Sequence, residues 1–113
     1  MAVQHSNSHS GLIWITGHSG AGKTTLAKIT SDKLRALGIP VVLFDGDELR
    51  SIFGEQFGFS LDARRQLAYA YSRLCHKVSN CGITVVIATI SMFESVRVEN
   101  RASNERYLEV YLD

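Results

Sequence analysis

Cysteine, proline and long apolar runs are scarce in this 113-residue chain, which has two cysteines and one proline. Two cysteines are too few for the disulfide framework of a small secreted domain, so we interpret Cys75 and Cys81 as buried thiols in a reducing cytosol. No apolar run reaches the roughly 20 residues of a membrane span, and the polar segment Met1–Ser10 lacks the apolar core of a secretory signal. We therefore predict a cytoplasmic protein without a membrane partner.

An excess of charge of either sign is also missing, since the formal net charge is +1. A dedicated nucleic-acid binder is usually strongly basic, so we expect no nucleic-acid partner. The hydrophobic fraction of 45% suits a globular core and excludes a disordered chain. The length allows a single domain, which we place at residues 11–113, after a flexible tail at residues 1–10.

The most informative segment is a phosphate-binding loop of the pattern G-x-x-x-x-G-K-[ST], which follows an apolar strand and precedes a helical pattern. Its glycines allow positive φ, so backbone N–H groups can turn inward around an anion, and the following helix adds its N-terminal partial positive charge. Lys23 can reach the β- and γ-phosphates of ATP, and the Thr24 hydroxyl can ligate Mg²⁺. The residues expected to bind ATP are Gly17, His18, Ser19, Gly20, Ala21, Gly22, Lys23, Thr24 and Thr25.

Strand-like and helix-like segments alternate along the chain. Apolar patterns predict strands at residues 12–16, 41–44, 83–90 and 107–112, and helices at residues 23–37, 48–53, 61–79 and 94–104. In the first helix, Leu26, Ile29 and Leu37 are predicted to share the buried face. Such alternation predicts an α/β fold, a P-loop NTPase-type three-layer sandwich with a mostly parallel sheet. Ligands of these folds bind beyond the carboxyl ends of the strands.

A second motif, Asp45-Gly46-Asp47-x-x-Arg50, follows the second predicted strand. A carboxylate at a strand end that faces a phosphate loop can position Mg²⁺ and accept a proton from an attacking hydroxyl, so we assign this role to Asp45. We expect Asp47 to cap the next helix. Arginine can pair bidentately with phosphate or sulfate, and the candidates for that contact are Arg50, Arg64, Arg97 and Arg101.

The order of these motifs resembles the adenylylsulfate (APS) kinases. The resemblance rests on residues 17–25, the Asp45–Arg50 motif, Phe57-Gly58-Phe59-Ser60, Arg64, Ile90-Ser91 and Arg97, and it spans about residues 11–113. It implies transfer of the γ-phosphoryl group of ATP to the 3′-hydroxyl of APS, with Mg²⁺ held by Thr24 and Asp45. It implies Lys23 and Asp45 as catalytic residues. The substrate-binding residues that it implies are Asp47, Arg50, Phe59, Arg64, Ile90 and Ser91.

Two positions depart from the family pattern. Leu67 stands where the family has Asn, and Met92 stands where it has Pro. The resemblance places both positions near the acceptor nucleotide, so a 3′-kinase of another nucleotide, such as cytidine diphosphoramidate, stays open as an alternative. A nucleotide-binding module without useful catalysis is a second alternative. The chain ends on a predicted strand, before the lid that the family would place next, so we expect a fragment of a longer kinase domain. A homodimer is also left open.

Overall fold

The computed structural model describes residues 10–18, 20–53, 58–91 and 93–113. Strands and helices alternate within them, apart from two consecutive helices after the second strand. The elements are β1 (Gly11–Gly17), α1 (Lys23–Ala36), β2 (Val41–Asp45), α2 (Gly46–Phe53), α3 (Leu61–Ser79), β3 (Thr84–Thr89), α4 (Glu94–Ser103) and β4 (Tyr107–Leu112). These bounds agree with the predicted elements to within a few residues. The tail through His9, Ser19, residues 54–57 and Met92 lie outside the described residues.

The strands form one sheet in the order β2-β3-β1-β4, and all three pairings among the described strands are parallel. β3 lies at the centre with every residue buried. Its β-branched run Val85-Val86-Ile87 suits a strand that is covered on both faces. The carboxyl ends of β1, β2 and β3 therefore lie side by side at one edge of the sheet.

Side chains of the central strands alternate between two apolar clusters, one on each face of the sheet. Leu12 and Trp14 pack with residues of α2, α3 and α4 on one face. Ile15 and Val86 pack with Ala27 of α1 on the other face. The alternation follows the two-residue period of a strand. It confirms the predicted three-layer α/β sandwich.

The predicted buried face of α1 was wrong in part. Ile29 is 47% exposed and Leu37 is 74% exposed, whereas Ala27 and Ser31 are fully buried. Ala27 and Ser31 are four residues apart, so they share one face of the helix. Their small side chains let the helix backbone lie close to the sheet, while Leu26, as predicted, packs partly buried against the cluster that contains Ala27.

The prediction of two buried thiols is confirmed for Cys75 and wrong for Cys81. Cys75 is fully buried in α3, and burial raises the pKa of its thiol to about 12. Cys81 is exposed in the turn after α3, where its thiol lies 3.5 Å from the Lys77 carbonyl oxygen. Within the part of the chain that the structure describes, none of the helices has the length and apolar character to cross a membrane.

Candidate active site

A cleft of about 540 Å³ opens at the carboxyl edge of the sheet, between the loop after β1, the turn after β2, the wall after β3 and one side of α3. This is the position at which parallel α/β sheets bind ligands. The cleft brings together most of the predicted site residues. Those that line it are Gly20, Lys23, Thr24, Asp45, Asp47, Arg50, Arg64, Ile90 and Ser91.

The loop between β1 and α1 has the backbone of an anion-binding turn. Gly20 and Gly22 have φ of +83° and +96°, values that L-residues rarely adopt, and Gly22 precedes the first turn of α1. The first turn of α1 holds no acidic side chain, so its N-terminal partial charge is not neutralised locally. The Lys23 ammonium donates to the His18 carbonyl oxygen at 2.9 Å, which holds the lysine over the loop.

Gly17 joins the end of β1 to this loop at a very close backbone approach. A Cβ built on Gly17 would lie 2.3 Å from the carbonyl oxygen of Leu112 in β4. No side chain fits at that distance. The loop is therefore anchored to the sheet through a position that only glycine occupies without displacement of the neighbouring strand.

The acidic turn, residues 45–47, joins β2 to α2, and the side chain that caps the helix there is not the predicted one. α2 begins at Gly46, and the Asp45 Oδ1 atom accepts a hydrogen bond of 2.9 Å from the Asp47 backbone N–H. This is the bond of an N-cap side chain. The prediction that Asp47 caps the helix was wrong, because α2 already begins at Gly46, so the residue before its first turn is Asp45. Asp47 lies in the first turn and is exposed to the cleft.

Arg50 links α2 to the segment that precedes α3. Its guanidinium donates to the Gly58 carbonyl oxygen and lies 4.0 Å from the centroid of the Phe59 ring. Cation–π contact of this kind holds an aromatic side chain in place without burying it. Phe59 is accordingly 71% exposed, so its ring remains available to a planar ligand.

The four arginines proposed from the sequence fall into two groups. Arg50 and Arg64 line the cleft, and the Arg64 side chain has no ion pair within the described ranges. Arg97 and Arg101 lie outside the cleft, where they pair with Glu109 of β4 at 3.5 Å and 3.1 Å. The hypothesis that Arg97 and Arg101 contact a phosphate or sulfate is therefore not supported by their position.

The wall of the cleft along α3 is largely apolar. Leu67 lines the cleft but is only 3% exposed and belongs to the buried cluster that includes Trp14. Leu61 and Phe93 add apolar surface near it. The α3 side of the cleft therefore presents mainly apolar surface, of which Leu67 contributes little because it is almost fully buried.

Three residues that shape the cleft, Trp14, Thr16 and Tyr71, were not predicted as site residues. The Ser91 carbonyl oxygen accepts from the Thr16 hydroxyl at 2.9 Å and lies 3.5 Å from the Trp14 indole nitrogen. These contacts hold the wall after β3 to the strand that carries the phosphate loop. The Tyr71 hydroxyl donates to the Gly46 carbonyl oxygen at 3.2 Å. No local sequence signal could have found these contacts, since each joins residues at least 25 positions apart.

A phosphate loop on the first strand of a parallel three-layer sandwich, with an acidic turn across the same cleft, defines a P-loop nucleotide-binding protein. The family model described as adenylylsulphate kinase matches residues 9–113. The chain belongs to this adenylylsulphate kinase family.

Individual relatives agree with this assignment. An adenylyl-sulfate kinase of Synechococcus sp. (strain JA-3-3Ab) is 35% identical over 101 residues, which cover 89% of this chain and 57% of the relative. A cytidine diphosphoramidate kinase of Campylobacter jejuni is 32% identical over 102 residues, which cover 90% of this chain and 59% of the relative. The chain thus spans less than two thirds of the length of these curated relatives.

Solved structures of the family have the same fold. The APS kinase CysC of Mycobacterium tuberculosis, in complex with AMPPNP and APS, superposes with a TM-score of 0.83 at 29% identity. The match covers 93% of this chain and 63% of that structure's chain. A hexameric APS kinase from Thiobacillus denitrificans has a TM-score of 0.78 at 28% identity, and the match covers 89% of this chain and 21% of that chain.

Proposed function

We propose that the protein transfers the γ-phosphoryl group of ATP to the 3′-hydroxyl of adenylylsulfate, giving 3′-phosphoadenylylsulfate. The observation that carries this proposal is that Lys23 of the phosphate loop and Asp45 of the acidic turn face one cleft in a chain of the APS kinase family. In this role the loop N–H groups and Lys23 bind the β- and γ-phosphates. Catalysis of phosphoryl transfer depends mainly on such positioning and on electrostatic stabilisation.

The residues present fit a magnesium ion held together with ATP. Mg²⁺ prefers hard oxygen ligands and usually binds through one or two protein groups plus phosphates and water. The Thr24 hydroxyl and the Asp45 carboxylate both line the cleft, and Asp45 uses one oxygen for the helix cap, which leaves Oδ2 for the ion. The ion, when bound, would neutralise charge that develops on the transferred group.

The second part of the proposal concerns the acceptor. Asp45 is placed to take the proton of the attacking 3′-hydroxyl. Arg64, which is exposed in the cleft and unpaired within the described ranges, is suited to an anionic group of the acceptor. Phe59, held by Arg50 beside the cleft, offers a ring on which the base can stack, and Ile90 and Ser91 line the cleft itself.

Adenylylsulfate is favoured over cytidine diphosphoramidate as the acceptor. The matching family model and the similar structure that contains APS and AMPPNP both support it. The substitution at Leu67 does not weaken this choice, because its side chain is packed in the core, where it stabilises α3 instead of meeting the acceptor directly.

The direct test is a coupled assay of ADP release by the natural full-length protein with Mg·ATP and either of two acceptors, APS or a cytidine diphosphate derivative, with a reaction lacking any acceptor as the control. We expect ADP release to depend on APS, and Lys23→Ala to reduce it about 10²-fold or more, because one preorganised charge on the transferring group is lost. Faster turnover of the cytidine acceptor would refute APS as substrate. ATP binding without turnover of any acceptor would indicate a binding module.

A further inference from the structure

Tyr71 is the one tyrosine of the described residues that lines the cleft, and the proposed chemistry assigns it no task. It lies on α3 one helical turn after Leu67 and is 5% exposed. Its hydroxyl donates to the Gly46 carbonyl oxygen at 3.2 Å. The bond joins α3 to the first residue of α2, the residue between the two carboxylates of the acidic turn.

The turn also packs closely against β3. A Cβ built on Gly46 would lie 3.0 Å from the Ala88 carbonyl oxygen and 3.2 Å from Thr89, so the Gly46 backbone lies directly against β3. The turn thus contacts both β3 and the Tyr71 hydroxyl. The Asp45 carboxylate, which accepts from the Asp47 N–H, takes its orientation from this backbone.

The surroundings of Tyr71 keep its hydroxyl a neutral donor and keep its ring in place. Burial raises the pKa of Tyr71 to about 12, an effect that the nearby Arg50 charge reduces and the Asp47 charge increases. The ring packs against Phe53 of α2, with centroids 5.9 Å apart. A donor that stays protonated and cannot swing away is suited to fix a backbone carbonyl.

We propose that Tyr71 is a positioning residue, which holds the Asp45–Asp47 turn against β3 so that the Asp45 carboxylate faces the phosphate loop. The proposal rests on the proposed function for the role of Asp45. Tyr71 touches neither the transferred group nor the ion in this scheme. It acts through the Gly46 carbonyl.

The test compares Tyr71→Phe with Tyr107→Phe in the natural full-length protein. Tyr107 is a matched control, because its hydroxyl accepts a hydrogen bond from Asn100 at 3.2 Å but it does not line the cleft. We expect Tyr71→Phe to lower kcat about five- to tenfold and to raise the Mg²⁺ concentration needed for half-maximal activity, with KM for ATP changed less than about twofold, as for one lost hydrogen bond. Tyr107→Phe should lower stability and leave kcat unchanged.

Hydrogen exchange supplies a readout that does not depend on activity. The Asp47 amide, which donates to Asp45, should exchange about five- to tenfold faster in Tyr71→Phe than in Tyr107→Phe. Faster exchange without any turnover in the wild type would support Tyr71 as a positioning residue and refute the proposed reaction. Unchanged exchange at Asp47, or equal loss of kcat in both variants, would overturn the positioning role.

Discussion

Replacement of Asp45 by Asn and by Ala separates the two roles that the structure places on one side chain. The Oδ1 atom of Asp45 caps α2 by accepting the Asp47 N–H at 2.9 Å, and the carboxylate as a whole faces the cleft. Asn keeps an oxygen acceptor at the cap but carries no charge and cannot take a proton. Ala loses both the cap and the charge.

The expected magnitudes follow from these two contacts. Loss of a general base that also attracts the metal lowers kcat by about 10²- to 10⁴-fold, and this loss should be similar for Asp45→Asn and Asp45→Ala. Asn and Asp are about equal as N-caps, so Asp45→Asn should change the free energy of unfolding by less than about 0.5 kcal/mol. Asp45→Ala should destabilise the protein by about 1 kcal/mol, the usual cost of a lost cap.

The assay measures kcat and KM for ATP by coupled ADP release, and the free energy of unfolding by urea denaturation of the same preparations. Asp47→Asn is the matched control, because its backbone N–H still donates to Asp45 and only a first-turn charge, worth about 0.3–1 kcal/mol, is removed. We expect it to lower kcat far less than Asp45→Asn does. If Asp45→Asn kept wild-type kcat, or if Asp47→Asn were the more damaging change, the roles assigned to the two carboxylates would be wrong.

Three further predictions concern other parts of the molecule. Arg64→Ala should raise KM for the acceptor about tenfold or more with KM for ATP nearly unchanged in steady-state kinetics, whereas equal rises for both substrates would point to a general electrostatic effect. Gly17→Ala should destabilise the protein by at least about 2 kcal/mol in urea denaturation, because its Cβ would overlap the Leu112 carbonyl oxygen, and wild-type stability would contradict the close approach. Burial raises the pKa of the Cys75 thiol from 9.0, the value expected in the unfolded chain, to about 12 in the folded protein. The contribution of this thiol to stability is therefore complete below pH 9.0 and is lost as the pH rises toward about 12. Unfolding at several pH values above 9.0 should therefore show a smaller alkaline loss of stability in Cys75→Ala than in the wild type, and iodoacetamide should modify the exposed Cys81 long before Cys75.

Local sequence was sufficient for the order of the elements and for the residues of the phosphate loop. Glycines that need positive φ, an apolar strand before them and a helix after them are features of neighbouring residues, so no folded contact is needed to detect them. The convergence of Lys23, Asp45 and Ser91 on one cleft could also be predicted, since each follows a parallel strand of the same sheet. Their chemical roles stay predictions.

Tertiary packing decided what neighbouring residues could not. Helical spacing predicted Ile29 and Leu37 on the inner face of α1 beside Leu26, but the close approach of the helix to the sheet buries the small residues Ala27 and Ser31 and leaves Ile29 and Leu37 exposed. From the sequence alone, Arg64 and Arg97 were equal candidates for a contact with a phosphate or sulfate. Only the position of β4 beside α4 gives Arg97 a carboxylate partner.

The same reason explains why no feature of the sequence marks Tyr71 as the donor to Gly46. Periodicity along a helix reports which side chains are apolar together, and it contains no information on the carbonyl that a hydroxyl will meet across 25 residues. The sequence by itself determined the phosphate loop, the layered fold and the family. The packing of α3 against the acidic turn determined which groups hold the Asp45 carboxylate, because that contact exists only once the helices are docked on the sheet.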